Sequence, residues 1–232
     1  MKVAIMQPYL FPYIGYFQMV SASEIFVFYD NVDYIQRGFI NRNNLLSSNG
    51  KQYFTVPVKK SSLGTKINEV FISDYDTWKT KFLTQIKFTY SKAPFFDSIY
   101  EVLENFLQKK KYFMISEFSS ESVIMILEYL NIQNHILFSS EIKEFKDIND
   151  KVEKLEYILN RLEARTILLP PGSKQLYMDW EPINIEKKIL EMPEIFYKQF
   201  DYQFVENLSI IDVLMFNEPE KVRWFIEKIN YQ

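Results

Sequence analysis

The chain has 232 residues, a formal net charge of −3, no cysteine, one histidine and five glycines. The missing cysteines exclude disulfides, thiolate zinc sites and cysteine nucleophiles, and the single His135 excludes HExxH and every two-histidine metal site. No basic excess marks a broad nucleic-acid footprint, and no apolar run approaches the roughly 20 residues of a membrane span.

Lys2–Met6 is a short apolar run suited to a buried strand. It is too short and too polar at its start for a signal peptide, so a cytoplasmic location is expected. Gln7-Pro8-Tyr9-Leu10-Phe11-Pro12 breaks it, because two prolines cannot continue a central strand. Tyr13–Ser21 reads as a short helix and Glu24–Tyr29 as a second strand ending at Asp30. This is a βαβ unit, which predicts that the two strands lie parallel and adjacent. The stretch from Asn31 to Asn43 is dense in hydrogen-bonding groups and has no clean period. Asn49-Gly50 signals a hairpin turn, Tyr53–Val58 a strand and Val70–Ser73 another short one.

The middle is helical: Asp76–Ser91, Phe96–Lys111 and Ser119–Asn131, the last opening on serines that read as caps. Residues 76–131 are therefore a candidate helical insertion. Ile136–Ser139 reads as strand, Asn149–Ala164 as helix, and Thr166–Leu169 as a buried strand broken by Pro170-Pro171-Gly172. Ile195–Phe200 reads as the last strand, before helices at Ile210–Phe216 and Lys221–Ile229. The alternation predicts one α/β domain over residues 1–232, with a Rossmann-like, mostly parallel sheet, helices on both faces and a largely helical middle segment.

Open α/β sheets bind ligands beyond the C-terminal ends of their strands, and three polar clusters fall there. The first is Gln7 and Tyr9, between the two prolines; its alternative is a rigid turn. The second is Asp30, Asn31, Asp33, Tyr34, Arg37, Asn41, Arg42 and Asn43. Arginine forks match phosphate or carboxylate, and Asp30 or Asp33 can serve as a general base. Its alternative is a solvated loop with turn-forming Asn and Asp. The third is Ser173 and Lys174 with Tyr177, where a Gly-Ser-Lys turn can hold an anion or simply cap a helix. Gln7, Asp30, Arg42 and Lys174 are expected to converge on one cleft. His135 reads as structural, and Lys59-Lys60 as a solvated pair. No metal is expected and no cofactor is implied.

The run Ile5-Met6-Gln7-Pro8-Tyr9-Leu10-Phe11-Pro12-Tyr13-Ile14-Gly15-Tyr16-Phe17 resembles the opening motif of the WbqC-like protein family. So do Tyr29-Asp30-Asn31-Val32-Asp33-Tyr34, then Arg37 and Asn41-Arg42-Asn43. Tyr53–Val58, Tyr90–Phe96, Gly172–Tyr177 and Leu208–Leu214 follow in order, so the resemblance covers nearly the whole chain. It departs from the family at Asn31 and Asp33, where Asp or Gln is common, and at Glu206, where some members carry His.

The resemblance implies a setting among enzymes of O-antigen and other surface-polysaccharide synthesis, including lipopolysaccharide. The activity it suggests is a transferase that acylates or aminoacylates an amino-sugar nucleotide. In that reading Asp30 or Asp33 deprotonates or orients the amine, Arg37, Arg42 and Lys174 hold phosphate or a carboxylate, and Gln7, Asn41, Asn43 and Tyr177 read hydroxyls. The partners are then a sugar nucleotide and an activated acyl or aminoacyl donor. The alternatives are a non-catalytic sugar-nucleotide binding or assembly factor and a tRNA-dependent aminoacyl transferase. The opening also resembles that of Rossmann-like nucleotidyltransferases, but Gln7, Tyr9 and Tyr13 stand where those use histidines.

Overall fold

A computed structural model of the chain describes all residues except 143–147, 149, 174–176, 178, 179, 201, 202 and 232. The first βαβ unit is β1 (Lys2–Met6), α1 (Ile14–Ala22) and β2 (Ile25–Phe28). A hairpin of β3 (Arg42–Ser47) and β4 (Gly50–Thr55) follows, then α2 (Tyr75–Tyr90), α3 (Phe96–Lys109) and α4 (Ile115–Tyr129). The chain returns to the sheet through β5 (His135–Phe138), α5 (Lys151–Arg161), β6 (Thr166–Leu169) and β7 (Glu186–Glu191). It closes with α6 (Ile210–Phe216), α7 (Pro219–Glu227) and β8 (Asn230–Tyr231).

The sheet order is β5-β2-β1-β6-β7-β8. β1 pairs in parallel with β2 and β6, β2 with β5, and β6 with β7, while β8 runs antiparallel on β7. From β1 the chain steps one way through β2 to β5, then crosses to the other side for β6 and β7. This is the doubly wound, Rossmann-like arrangement, with its topological switch between β1 and β6.

Strand periodicity explains why both faces carry helices. Ala4, Phe26, Phe28 and Leu168 belong to one hydrophobic cluster, which also takes in α1, α7 and the helical middle segment. Their neighbours in sequence, Val3, Ile25, Val27, Ile167 and Leu169, face a second cluster with Leu155, Ile158 and Leu159 of α5 and with Trp180. α2, α3 and α4 bury Phe82, Leu103 and Phe118 in the same cluster as the first sheet face.

Four local readings change in the structure. α4 begins at Ile115 rather than Ser119, because its serines do not cap it. They lie inside the helix: Ser122 Oγ donates to the Ser119 carbonyl at 2.6 Å, and Ser119 Oγ donates to Ile40 O at 2.6 Å. The hairpin turns on Ser48-Asn49, and Gly50 pairs with Ser47 at φ +104, a value open chiefly to glycine. Val70–Ser73 makes only isolated bridges, Ile72 to Val58 and Phe71 to Met114. Ile195–Phe200 is irregular, and the strand in that region is the charged Glu186–Glu191, whose ladder with β6 overrides its weak apolar pattern.

Candidate functional site

The opening loop lies at the C-terminal end of β1, and the carbonyls of Gln7, Leu10, Phe11 and Pro12 are held. Tyr16 Oη donates to Gln7 O at 2.9 Å. Asn43 Nδ2 donates to Leu10 O at 3.0 Å and to Phe11 O at 2.9 Å. Ser209 Oγ donates to Phe11 O at 2.7 Å, and Ile210 N donates to Pro12 O at 2.8 Å. Phe11 N donates to Ser122 Oγ at 3.0 Å, and Leu10 N to Phe39 O at 3.1 Å. Phe11 sits at φ +40, costly for a bulky residue, and is fully buried among Phe54, Phe82, Phe106 and Phe118. The loop is thus anchored by its middle, leaving Tyr9 and Tyr13 half-buried at the surface.

The second cluster divides into four. Asp30 and Asn31 form a clasp between the ends of β2 and β5. Asp30 is buried; its Oδ1 accepts from Ser140 N at 2.9 Å and its Oδ2 from Ser140 Oγ at 2.6 Å. Ser139 Oγ accepts from Asp30 N at 3.1 Å and turns its one proton between Asp30 Oδ1 at 3.0 Å and Asn31 Oδ1 at 2.7 Å. Asp33 is exposed and ion-paired with Lys66 at 2.5 Å. Asn41 and Asn43 are buried: Asn41 Nδ2 donates to Val56 O at 2.8 Å, and Asn43 clamps the opening loop.

Tyr34, Arg37, Asn41 and Arg42 come together with Lys59 and Lys60 around a cavity of about 330 Å³. Among the described residues no carboxylate lines it. Arg42 donates through one terminal nitrogen to the carbonyl of Arg37, whose own φ is +64. Its guanidinium lies 4.7 Å from the Tyr53 ring centroid, and its Nε is buried without a hydrogen-bond partner. Burial raises the Tyr34 hydroxyl, and the Arg42 charge opposes that rise.

Gln7, Asp30 and Arg42 do not meet in this cavity: only Arg42 lines it. In the third cluster, Pro171–Ser173 forms a 3₁₀ turn, with Ser173 Oγ donating to Pro170 O at 2.8 Å. Tyr177 packs 5.6 Å from the Trp180 ring, and burial raises its hydroxyl. Lys174 lies outside the described residues. His135 opens β5 and is exposed.

The sequence reading missed Asp212, which its surroundings in Leu208–Leu214 advertise as one acid within an apolar helix. It is fully buried and accepts from Tyr90 Oη at 2.8 Å, Tyr197 Oη at 2.6 Å and Gln199 Nε2 at 2.7 Å. Burial lifts its carboxyl to about 6, against the lowering effect of these hydrogen bonds. Because the folded value lies above the unfolded one, Asp212's stabilising contribution is full below about pH 4 and is lost as pH rises through 6. The loss is on the order of 3 kcal/mol by linkage. Urea denaturation from pH 4 to 7.5 checks this: the wild-type minus Asp212→Asn difference should fall across that window, and a flat difference would show that the group is not perturbed.

A model of the WbqC-like protein family matches residues 7–224. The chain belongs to that family. The match spans the opening loop, the Asp30 clasp, the basic cavity and the Asp212 network of this WbqC-like chain. The chain is also 26% identical over 225 residues to the uncharacterized protein Rv1507c of Mycobacterium tuberculosis, covering 92% of each. No solved structure matches it. Among the described residues, no helix is long and apolar enough to cross a membrane.

Proposed function

We propose that this chain is a cytoplasmic transferase of surface-polysaccharide synthesis, acylating or aminoacylating a nucleotide-linked amino sugar. The observation that carries this reading is the basic cavity. Arg37, Arg42, Lys59 and Lys60 line it with no acid among the described residues of its wall, and its volume of about 330 Å³ is at the small end of ligand sites. That space suits the phosphates of a sugar nucleotide better than the whole molecule. Arg42 lines this cavity with a guanidinium held by the Arg37 carbonyl and the Tyr53 ring, and a charge-assisted bond from such a group to an anion is worth more than a neutral one. The family resemblance supports the polysaccharide setting. With no cysteine, the simplest chemistry is direct. The amine lone pair attacks the activated carbonyl carbon, a C–N bond forms, the bond to the leaving group breaks with its electron pair, and the nitrogen loses a proton.

A second reading is a sugar-nucleotide binding factor without catalysis. It is favoured by the engagement of Asp30 with Ser139 and Ser140 and of Asp33 with Lys66, which leaves neither carboxylate idle. Calorimetric titration with UDP and UDP-linked amino sugars tests the anion site. Arg42→Ala should weaken binding about tenfold or more, and Arg42→Lys should recover only part, because lysine lacks the planar fork. Unchanged affinity in Arg42→Ala would place the phosphates elsewhere. Mass detection of an acylated sugar after incubation with activated donors separates the transferase from the binding factor.

A further inference from the structure

Beside the opening loop lie two adjoining hollows of about 300 and 320 Å³ that share Tyr13 and Asn207 in their walls. The opening-loop side presents Tyr9 and Tyr13, with Phe39 next to Tyr9 at 6.0 Å between rings. The opposite side presents Tyr197, Glu194 and Glu206 from the irregular segment after β7. Among the described residues no lysine or arginine lines either hollow. This is the reverse of the basic cavity, and one strand separates the two: Arg42 lines the basic side and its neighbour Asn43 the aromatic side.

We propose that this aromatic–acidic cleft is a second subsite, which binds the ammonium-bearing ring of an amino sugar. The proposal rests on the amino-sugar reading of function and names where that part of the substrate sits. Among the described residues neither Glu194 nor Glu206 is in an ion pair, and both line the hollow of about 300 Å³ beside Tyr13. An ammonium is attracted both by carboxylates and by the faces of tyrosine rings, while a phosphate is repelled there. Burial raises the Tyr9 and Tyr13 hydroxyls; Tyr13 Oη donates to Met192 Sδ at 3.9 Å, and the protonated Tyr9 hydroxyl can donate to a ring hydroxyl.

The wall is built for closeness. A Cβ on Gly15 would lie 2.4 Å from Tyr13 Cε2 and 2.5 Å from Met192 Sδ, so glycine alone lets these two side chains close over the first turn of α1. Asn207, at the junction of the hollows, holds φ +55, a left-handed conformation that asparagine tolerates better than most.

Ligand-observed NMR titration at pH 7 tests the proposal, with glucosamine, glucose and UDP as probes. The wild-type chain should bind glucosamine about tenfold more tightly than glucose, as one charge-assisted contact implies. The Glu194→Gln/Glu206→Gln double variant should lose that preference, and Arg42→Ala should keep it. Both glutamates are exposed, so the double variant should retain the parent's melting temperature. Gly15→Ala should weaken both sugars alike. Equal binding of glucosamine and glucose, or a preference that survives in the double variant, overturns the proposal. If the glucosamine preference holds but UDP binding ignores Arg42, the phosphate site fails and this subsite stands. If UDP binding needs Arg42 but glucosamine shows no preference, this subsite fails and the phosphate site stands.

Discussion

Phe11→Ala is expected to lower the unfolding free energy by about 3–5 kcal/mol, the usual range for removing a buried phenylalanine. Phe11 is fully buried and lies 5.9 Å from Phe82, 6.0 Å from Phe106, 6.3 Å from Phe54 and 6.4 Å from Phe118, ring to ring. It comes from the opening loop, yet its contacts are on β4, α2, α3 and α4, so it pins the loop of the sheet to the helical segment. Truncation leaves a cavity between parts distant in sequence. The φ of +40 at this position stays strained with alanine, so no backbone relief offsets the loss. Phe11→Leu should recover part of the stability by refilling volume. Urea denaturation checks both variants, and a loss under about 1 kcal/mol in Phe11→Ala would mean that the loop is anchored by its backbone hydrogen bonds instead. Because Tyr9 and Tyr13 flank this anchor, surviving protein should also bind the sugar probes less well.

Asp30→Ala is expected to cost about 2–4 kcal/mol, since it leaves the Ser140 N–H and two serine hydroxyls short of a buried, charged acceptor. Asp30→Asn should cost about 1 kcal/mol: its carbonyl oxygen can still accept from Ser140 N, and the Ser140 hydroxyl can turn to accept from its amide. The pair of variants distinguishes two roles for the carboxylate. A general base predicts that Asp30→Asn keeps its melting temperature and loses turnover. A clasp between β2 and β5 predicts a graded loss of stability, alanine worse than asparagine, with ligand-induced stabilisation retained in asparagine. Thermal melting with and without UDP-linked amino sugars reads both at once.

The elements that local pattern made legible are those buried on both faces. Lys2–Met6 and Thr166–Leu169 are central strands at the bounds expected of them, and β1 and β2 pair in parallel as the βαβ spacing required. The failures are at positions where partners far along the chain decide. Glu186–Glu191 has too many charges to read as a strand, but β6 offers it a ladder. Tyr197 and Gln199 look like strand residues, yet Asp212 takes both as hydrogen-bond donors and holds their segment irregular. The α4 serines look like a helix start, yet Ile40 and Phe11 claim their hydroxyls.

By itself the sequence determined the class of fold, the place of the loops at the strand ends, the chemistry closed off by the absence of cysteine and of a second histidine, and the family. These follow from side-chain period, turn residues and composition, all of which are local or additive. Tertiary structure alone decided which polar groups meet. Asp30 and Ser139 are 109 residues apart, Asn43 and Leu10 are 33 apart, and Glu206 joins Tyr13 only because α6 returns its segment to the opening loop. A hydrogen bond or an unpaired charge is a property of the pair that packing creates. The eight candidate residues between Asp30 and Asn43, alike in chemistry, were therefore sorted into a clasp, an ion pair, two buried clamps and a basic cavity by contacts that no window of sequence contains.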